Sequence, residues 1–129
     1  MAKALIVDDE ADAREFVRAI LESDDWEVEE AEDGEAGLAK VGETKPDLIV
    51  LDVQMPKKDG FAVFGELAKN PDARDVKVIM LTGVGEKMGI AFSADDMGEY
   101  LGKEPDAYVE KPIEPEAFKR IVKKVMGTT

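Results

Sequence analysis

The chain has 129 residues, 44% of them hydrophobic, which suffices for one domain with a single core. It contains neither cysteine nor histidine, which excludes disulfide frameworks, thiol nucleophiles, zinc fingers and histidine-based general catalysis. Acids outnumber bases 30 to 17 for a net charge of −13, with both signs intermixed, and such a chain repels nucleic acid.

The first apolar run, Ala4 to Val7, is too short for a signal peptide or a membrane span and reads as a strand over 3–8. The protein is therefore expected to be soluble and cytoplasmic. Phe16, Val17, Ile20 and Leu21 follow as a helical stripe. A second strand over 26–31 alternates Trp26, Val28 and Glu30 with acids, the pattern of a strand near a sheet edge. Asp33 ahead of Gly34, Glu35 and Ala36 marks a helix start. The third strand, 47–52, holds the unbroken run Leu48, Ile49, Val50, Leu51, as required where helices cover both faces. Phe61, Phe64, Leu67 and Ala68 form the next helical stripe, and a fourth strand over 76–82 contains Val78, Ile79, Met80 and Leu81.

The segment after that strand is the weak one. Ile90, Ala94, Met97 and Leu101 are spaced for a helix, but Gly89, Gly98 and Gly102 each cost about 1 kcal/mol relative to alanine, which predicts an irregular or broken helix. A fifth strand over 107–110 leads to a last helix with Pro115 in its first turn and Phe118, Ile121, Val122 and Val125 as its stripe. Its Lys119, Arg120, Lys123 and Lys124 form the basic cluster of the chain and read as a solvated face. Five strand-helix units, with no linker or low-complexity stretch between them, predict an α/β fold built on a parallel sheet in one domain, 1–129.

The chemistry-bearing residues share one position in this pattern. Asp8 and Asp9 follow the first strand, Asp52 ends the third, Thr82 the fourth, and Lys111 follows the fifth. Carboxyl ends of parallel strands lie on one edge, where ligands bind in the crevice at which strand order reverses. Three carboxylates gathered there repel one another and either raise their pKa values or capture a cation. With only oxygen donors on offer, Mg²⁺ suits the site. Lys111 adds an ammonium and Thr82 a hydroxyl, and these groups together can position and neutralise a phosphoryl group, with a carboxylate as its acceptor.

Val7-Asp8-Asp9-Glu10, Glu30-Ala31-Glu32-Asp33-Gly34, the stretch from Ile49 through Asp52 and Pro56 to Gly60, Met80-Leu81-Thr82-Gly83 and Tyr108-Val109-Glu110-Lys111-Pro112 together resemble the receiver domains of bacterial two-component response regulators. The resemblance spans essentially the whole chain and is nearest to single-domain, chemotaxis-type regulators. It implies a flavodoxin-like (βα)5 three-layer sandwich with strand order 2-1-3-4-5. It also implies Asp52 as phosphoacceptor, and Mg²⁺ held by Asp8, Asp9, Asp52 and the backbone carbonyl of Gln54. Thr82, Gly83 and Lys111 would contact the phosphoryl group, the Lys111–Pro112 peptide bond would be cis, and Thr82 and Tyr108 would form the switch pair. The implied partners are a sensor histidine kinase or phosphotransfer protein upstream and an unidentified protein downstream, with no nucleic acid, no membrane and a monomeric state. The stretch between Thr82 and Lys111 is several residues longer than is usual in the family, and Gln54 and Val84 stand at positions that resemble those tuning the lifetime of the phosphorylated state.

Two other classes share parts of the pattern. Magnesium-dependent phosphohydrolases with an aspartate nucleophile usually carry a second acid two residues on, where this chain has Gln54, and they need a cap-sized insertion that is missing here. A pseudo-receiver scaffold would not need the complete set of acids, threonine and lysine. The chain is read as a switch and not as a conventional enzyme, apart from slow loss of its own phosphoryl group.

Overall fold

The computed structural model describes residues 2–53, 60–70, 76–82 and 105–127. In chain order these form β1 (Lys3–Val7), α1 (Ala11–Ser23), β2 (Glu27–Ala31), α2 (Gly34–Thr44), β3 (Leu48–Asp52), α3 (Gly60–Lys69), β4 (Lys77–Thr82), β5 (Ala107–Glu110) and a last helix, α4 (Pro115–Met126). All strand pairs are parallel, and the sheet order is β2-β1-β3-β4-β5, as the family resemblance implies. The helical segment expected around Ile90 to Leu101 lies outside the described residues.

Strand limits fall within one residue of those read from hydropathy. At the start of β2 the Trp26 amide donates back to the Leu21 carbonyl at 3.1 Å and so belongs to the α1–β2 turn. Alternation along the strands divides the core into two layers. Leu5, Val7, Ala31, Ile49, Leu51, Val78 and Met80 meet Val41 of α2 and Val63, Phe64 and Leu67 of α3. On the opposite face Ala4, Ile6, Val28, Leu48, Val50, Ile79, Leu81 and Val109 meet Val17, Ile20 and Leu21 of α1 and Phe118 and Val122 of α4. All five residues of β3 are buried because both layers cover it. β2 is an edge strand, with Glu27 exposed and Glu29 and Glu30 half-buried.

Phe16 departs from the expected stripe and is 45% exposed. Val17, Ile20 and Leu21 fill the contact of α1 with the sheet, and at about 100° per residue Phe16 falls on the flank of that stripe. Local signals mark the ends of α2 and α4. The Asp33 carboxylate accepts the Ala36 amide at 2.8 Å, Glu114 accepts that of Ala117 at 2.6 Å just ahead of Pro115, and Gly127 closes α4 at φ 78°. Among the described residues no helix is long and apolar enough to cross a membrane.

Candidate functional site

The sheet order reverses between β1 and β3, since the chain runs from β1 out to β2 and returns to β3 on the other side. Asp8 follows the first of these strands and Asp52 ends the other, so topology alone brings the two carboxylates to one crevice. They are 0% and 4% exposed, and with Thr82 at 2% they are the buried polar side chains among the described residues. Asp9, exposed at the rim, completes a group in which one oxygen from each carboxylate lies within 4.8 Å of the others.

Asp8 is held at three points. Its amide donates to the Ala31 carbonyl at 3.2 Å, its Oδ1 accepts the Glu10 amide at 2.9 Å, and its own carbonyl accepts Arg14 Nη1 at 2.7 Å. The other carboxylate oxygen, Oδ2, is buried without a hydrogen bond and stands 3.5 Å from Lys111 Nζ. The same ammonium lies 3.3 Å from Asp52 Oδ1. Lys111 reaches there because its amide donates to the Thr82 carbonyl at 2.6 Å, which extends the β4–β5 pairing past Glu110; its peptide bond to Pro112 is cis. Burial pushes the Lys111 pKa down, but the nearby charges of Asp52 and Asp8 outweigh it and hold the pKa above the ordinary lysine value. Lys111 is therefore a permanent cation at neutral pH, and a single ammonium faces three carboxylates. The residual negative charge, the all-oxygen donor set and the orphaned Asp8 Oδ2 fit a hard divalent cation.

Gly60 belongs to the site for a reason that composition does not reveal. A Cβ there would collide with the Asp52 carbonyl oxygen and stand 2.9 Å from Val53 Cα. The Gly60 amide donates to the Val53 carbonyl at 2.8 Å, so the first turn of α3 is pressed against the end of β3 that carries Asp52. On the opposite side, Thr82 pairs with Glu110 and Tyr108 with Met80, which places Thr82 and Tyr108 as diagonal neighbours on the α2–α3 face, with Tyr108 packed on that core layer. Asp8, Asp9, Asp52 and Lys111 are thus brought together, and Thr82 and Tyr108 flank them. Gln54 and Gly83 lie outside the described residues. Two features escaped the sequence reading. The signal for Gly60 is the Asp59-Gly60 motif, and that for Arg14 is Arg18 four residues on, the two arginines sharing Glu30 of β2.

The model of the response regulator receiver domain family matches residues 4–123. The chain belongs to this family. It is a receiver domain of the two-component type, a family of signalling switches. It is similar to the chemotaxis protein CheY4 of Vibrio cholerae, with a TM-score of 0.80 and 31% identity over 97% of this chain and 98% of that one. The signal receiver domain of a signal transduction histidine kinase from Syntrophus aciditrophicus superimposes with a TM-score of 0.83 at 29% identity, covering 98% and 91% of the two chains. Among curated proteins, the phosphate regulon transcriptional regulatory protein PhoB of Escherichia coli (strain K12) is 34% identical over 124 residues, 96% of this chain but 51% of that protein. The chain spans about half the length of the curated relatives it matches.

Proposed function

We propose that residues 1–129 act as one receiver domain that takes a phosphoryl group onto Asp52 from the phosphohistidine of a sensor histidine kinase or phosphotransfer protein. The observation that carries this reading is the Asp52 carboxylate, 4% exposed at the switch point, within 3.3 Å of an ammonium and grouped with two further acids. An Asp52 oxygen bonds to phosphorus while the P–N bond of the donor breaks, and the released imidazole keeps the electron pair and takes up a proton. Mg²⁺, bound by Asp8, Asp9, Asp52 and the Gln54 carbonyl, would supply charge neutralisation on the transferring oxygens. Lys111 exchanges part of its pairing with Asp52 for the phosphoryl oxygens, and Thr82 and Gly83 contact the same group. Slow attack of water on the phosphorus, admitted past exposed Asp9, returns the carboxylate.

The phosphoryl group adds about −1.5 to −2 charge and three acceptor oxygens, which draws the Thr82 hydroxyl toward it. Space vacated beside β4 is then open to the Tyr108 ring, its diagonal neighbour, and the surface around β5 and the preceding segment changes for a downstream protein. The net charge of −13 favours protein partners for this monomeric, cytoplasmic domain. Relatives named as transcriptional regulators bring DNA into question only for a longer protein carrying it.

Treatment with acetyl phosphate and Mg²⁺ should raise the intact mass by one phosphoryl group, and Asp52→Asn should abolish the gain. Full labelling of the Asp52→Asn protein would overturn the assignment. In the same samples, and with beryllofluoride, the Tyr108 ring signals should shift; identical signals in both states would remove the switch pair.

A further inference from the structure

We infer that Arg14 is a positioning residue for the acidic site, holding the Asp8 main chain so that Asp8 Oδ2 stays presented to a cation. The inference rests on the proposed reading of Asp8, Asp9 and Asp52 as the Mg²⁺ site. Asp8 is the first residue past β1, its amide still tied to the Ala31 carbonyl of β2 at 3.2 Å. Its carbonyl accepts Arg14 Nη1 at 2.7 Å from the first turns of α1. Arg14 is itself fixed by Glu30, whose Oε1 accepts Arg14 Nε at 3.0 Å while Oε2 accepts Arg18 Nη1 at 2.6 Å.

Glu30 can do this because alternation in β2 places it on the α1 face with Val28, in register with Ile6 of β1. Burial pushes the Glu30 pKa up, but the hydrogen bonds from Arg18 and Arg14 outweigh it and hold the carboxyl below its ordinary range, so it stays ionised. The planar guanidinium spans a carboxylate and a carbonyl at once, which a lysine ammonium cannot reproduce with the same geometry. With Glu10 restraining Oδ1, the Asp8 side chain is left one oxygen, Oδ2, without a hydrogen bond. An edge strand, a helix and the acidic loop are thereby locked into one arrangement.

The sign of the effect on metal binding separates positioning from bulk electrostatics. Removing a cation beside an acidic site should by itself tighten cation binding. Loss of a positioning contact should weaken it, and groups that orient metal ligands are worth about 10- to 100-fold in affinity. Calorimetric Mg²⁺ titration of the full chain should therefore show about tenfold weaker binding in Arg14→Gln, with partial recovery in Arg14→Lys. Arg18→Gln removes the same charge from Glu30 without touching Asp8, and should leave Mg²⁺ affinity unchanged or tighter. The Asp9 and Glu10 amide signals of the metal-free protein should move in Arg14→Gln and stay in place in Arg18→Gln. Unchanged or tighter Mg²⁺ binding in folded Arg14→Gln and Arg14→Lys would overturn the inference. So would equal weakening in Arg18→Gln, which points to a general loss of structure. If the unaltered chain bound no Mg²⁺, or Asp52→Asn bound it as well, the reading of the site itself would fall, a distinct result.

Discussion

Aspartates stand at both ends of the sheet and are used in opposite ways. At the amino edge Asp47 and Asp106 each precede a strand, and each gives its Oδ2 to the first amides of a neighbouring strand, Lys3 at 3.0 Å and Val78 at 2.8 Å. Both remain exposed. At the carboxyl edge Asp8 and Asp52 are buried, share one lysine and leave Asp8 Oδ2 without a hydrogen bond. A carboxylate whose lone pairs are taken up by backbone amides holds the fold together, whereas a buried one left partly unsatisfied costs stability and is available for chemistry. The side-chain chemistry is the same at both edges; the burial and the donors within reach differ.

The glycines offer the largest test of that difference. Gly60→Ala drives a methyl into the backbone beneath Asp52 and should cost about 1–3 kcal/mol by chemical denaturation, with reduced phosphorylation. Gly42, inside α2 with open space around it, should gain up to about 1 kcal/mol as alanine and phosphorylate normally. Equal behaviour of the two would remove the claim that the carboxyl edge is the constrained one.

Next come the acids themselves. Asp9→Ala should weaken Mg²⁺ binding by about tenfold or more while leaving the metal-free fold as stable or more so, because repulsion is relieved. Asp106→Ala should do the reverse, removing the acceptor of the Val78 amide and costing about 0.5–1.5 kcal/mol in thermal or denaturant unfolding with Mg²⁺ affinity intact. A loss of metal affinity in Asp106→Ala would break the distinction between the two edges.

The smallest effect is a pH dependence at Glu30. Its pKa is lowered in the folded chain, so its contribution is present above its ordinary value of 4.5 and is lost as pH falls through the depressed folded value. The stability gap between the unaltered protein and Glu30→Gln should accordingly be constant near neutrality and close under acid. A gap that widens on acidification would show that the Arg14–Glu30–Arg18 pairing contributes nothing to the folded state.

Much of this molecule was legible along the chain. Period-2 and period-3.6 hydropathy located the five strands within one residue, Asp33 and Pro115 marked helix starts through local backbone hydrogen bonding, and the strand-end positions of Asp8, Asp52, Thr82 and Lys111 pointed to one edge. These are properties of neighbours a few residues apart, or of a topology that parallel strands impose, and a sequence carries them directly. Tertiary structure alone decided the rest. Phe16 lies outside the core because three neighbours already fill the groove between α1 and the sheet. Gly60 is required because α3 closes against the Asp52 carbonyl, and Arg14 acts on Asp8 only because β2 brings Glu30 beneath α1. Each depends on distances between segments well apart in the chain, and a hydrogen bond or a steric contact is decided within a few tenths of an ångström, a scale that residue spacing does not encode.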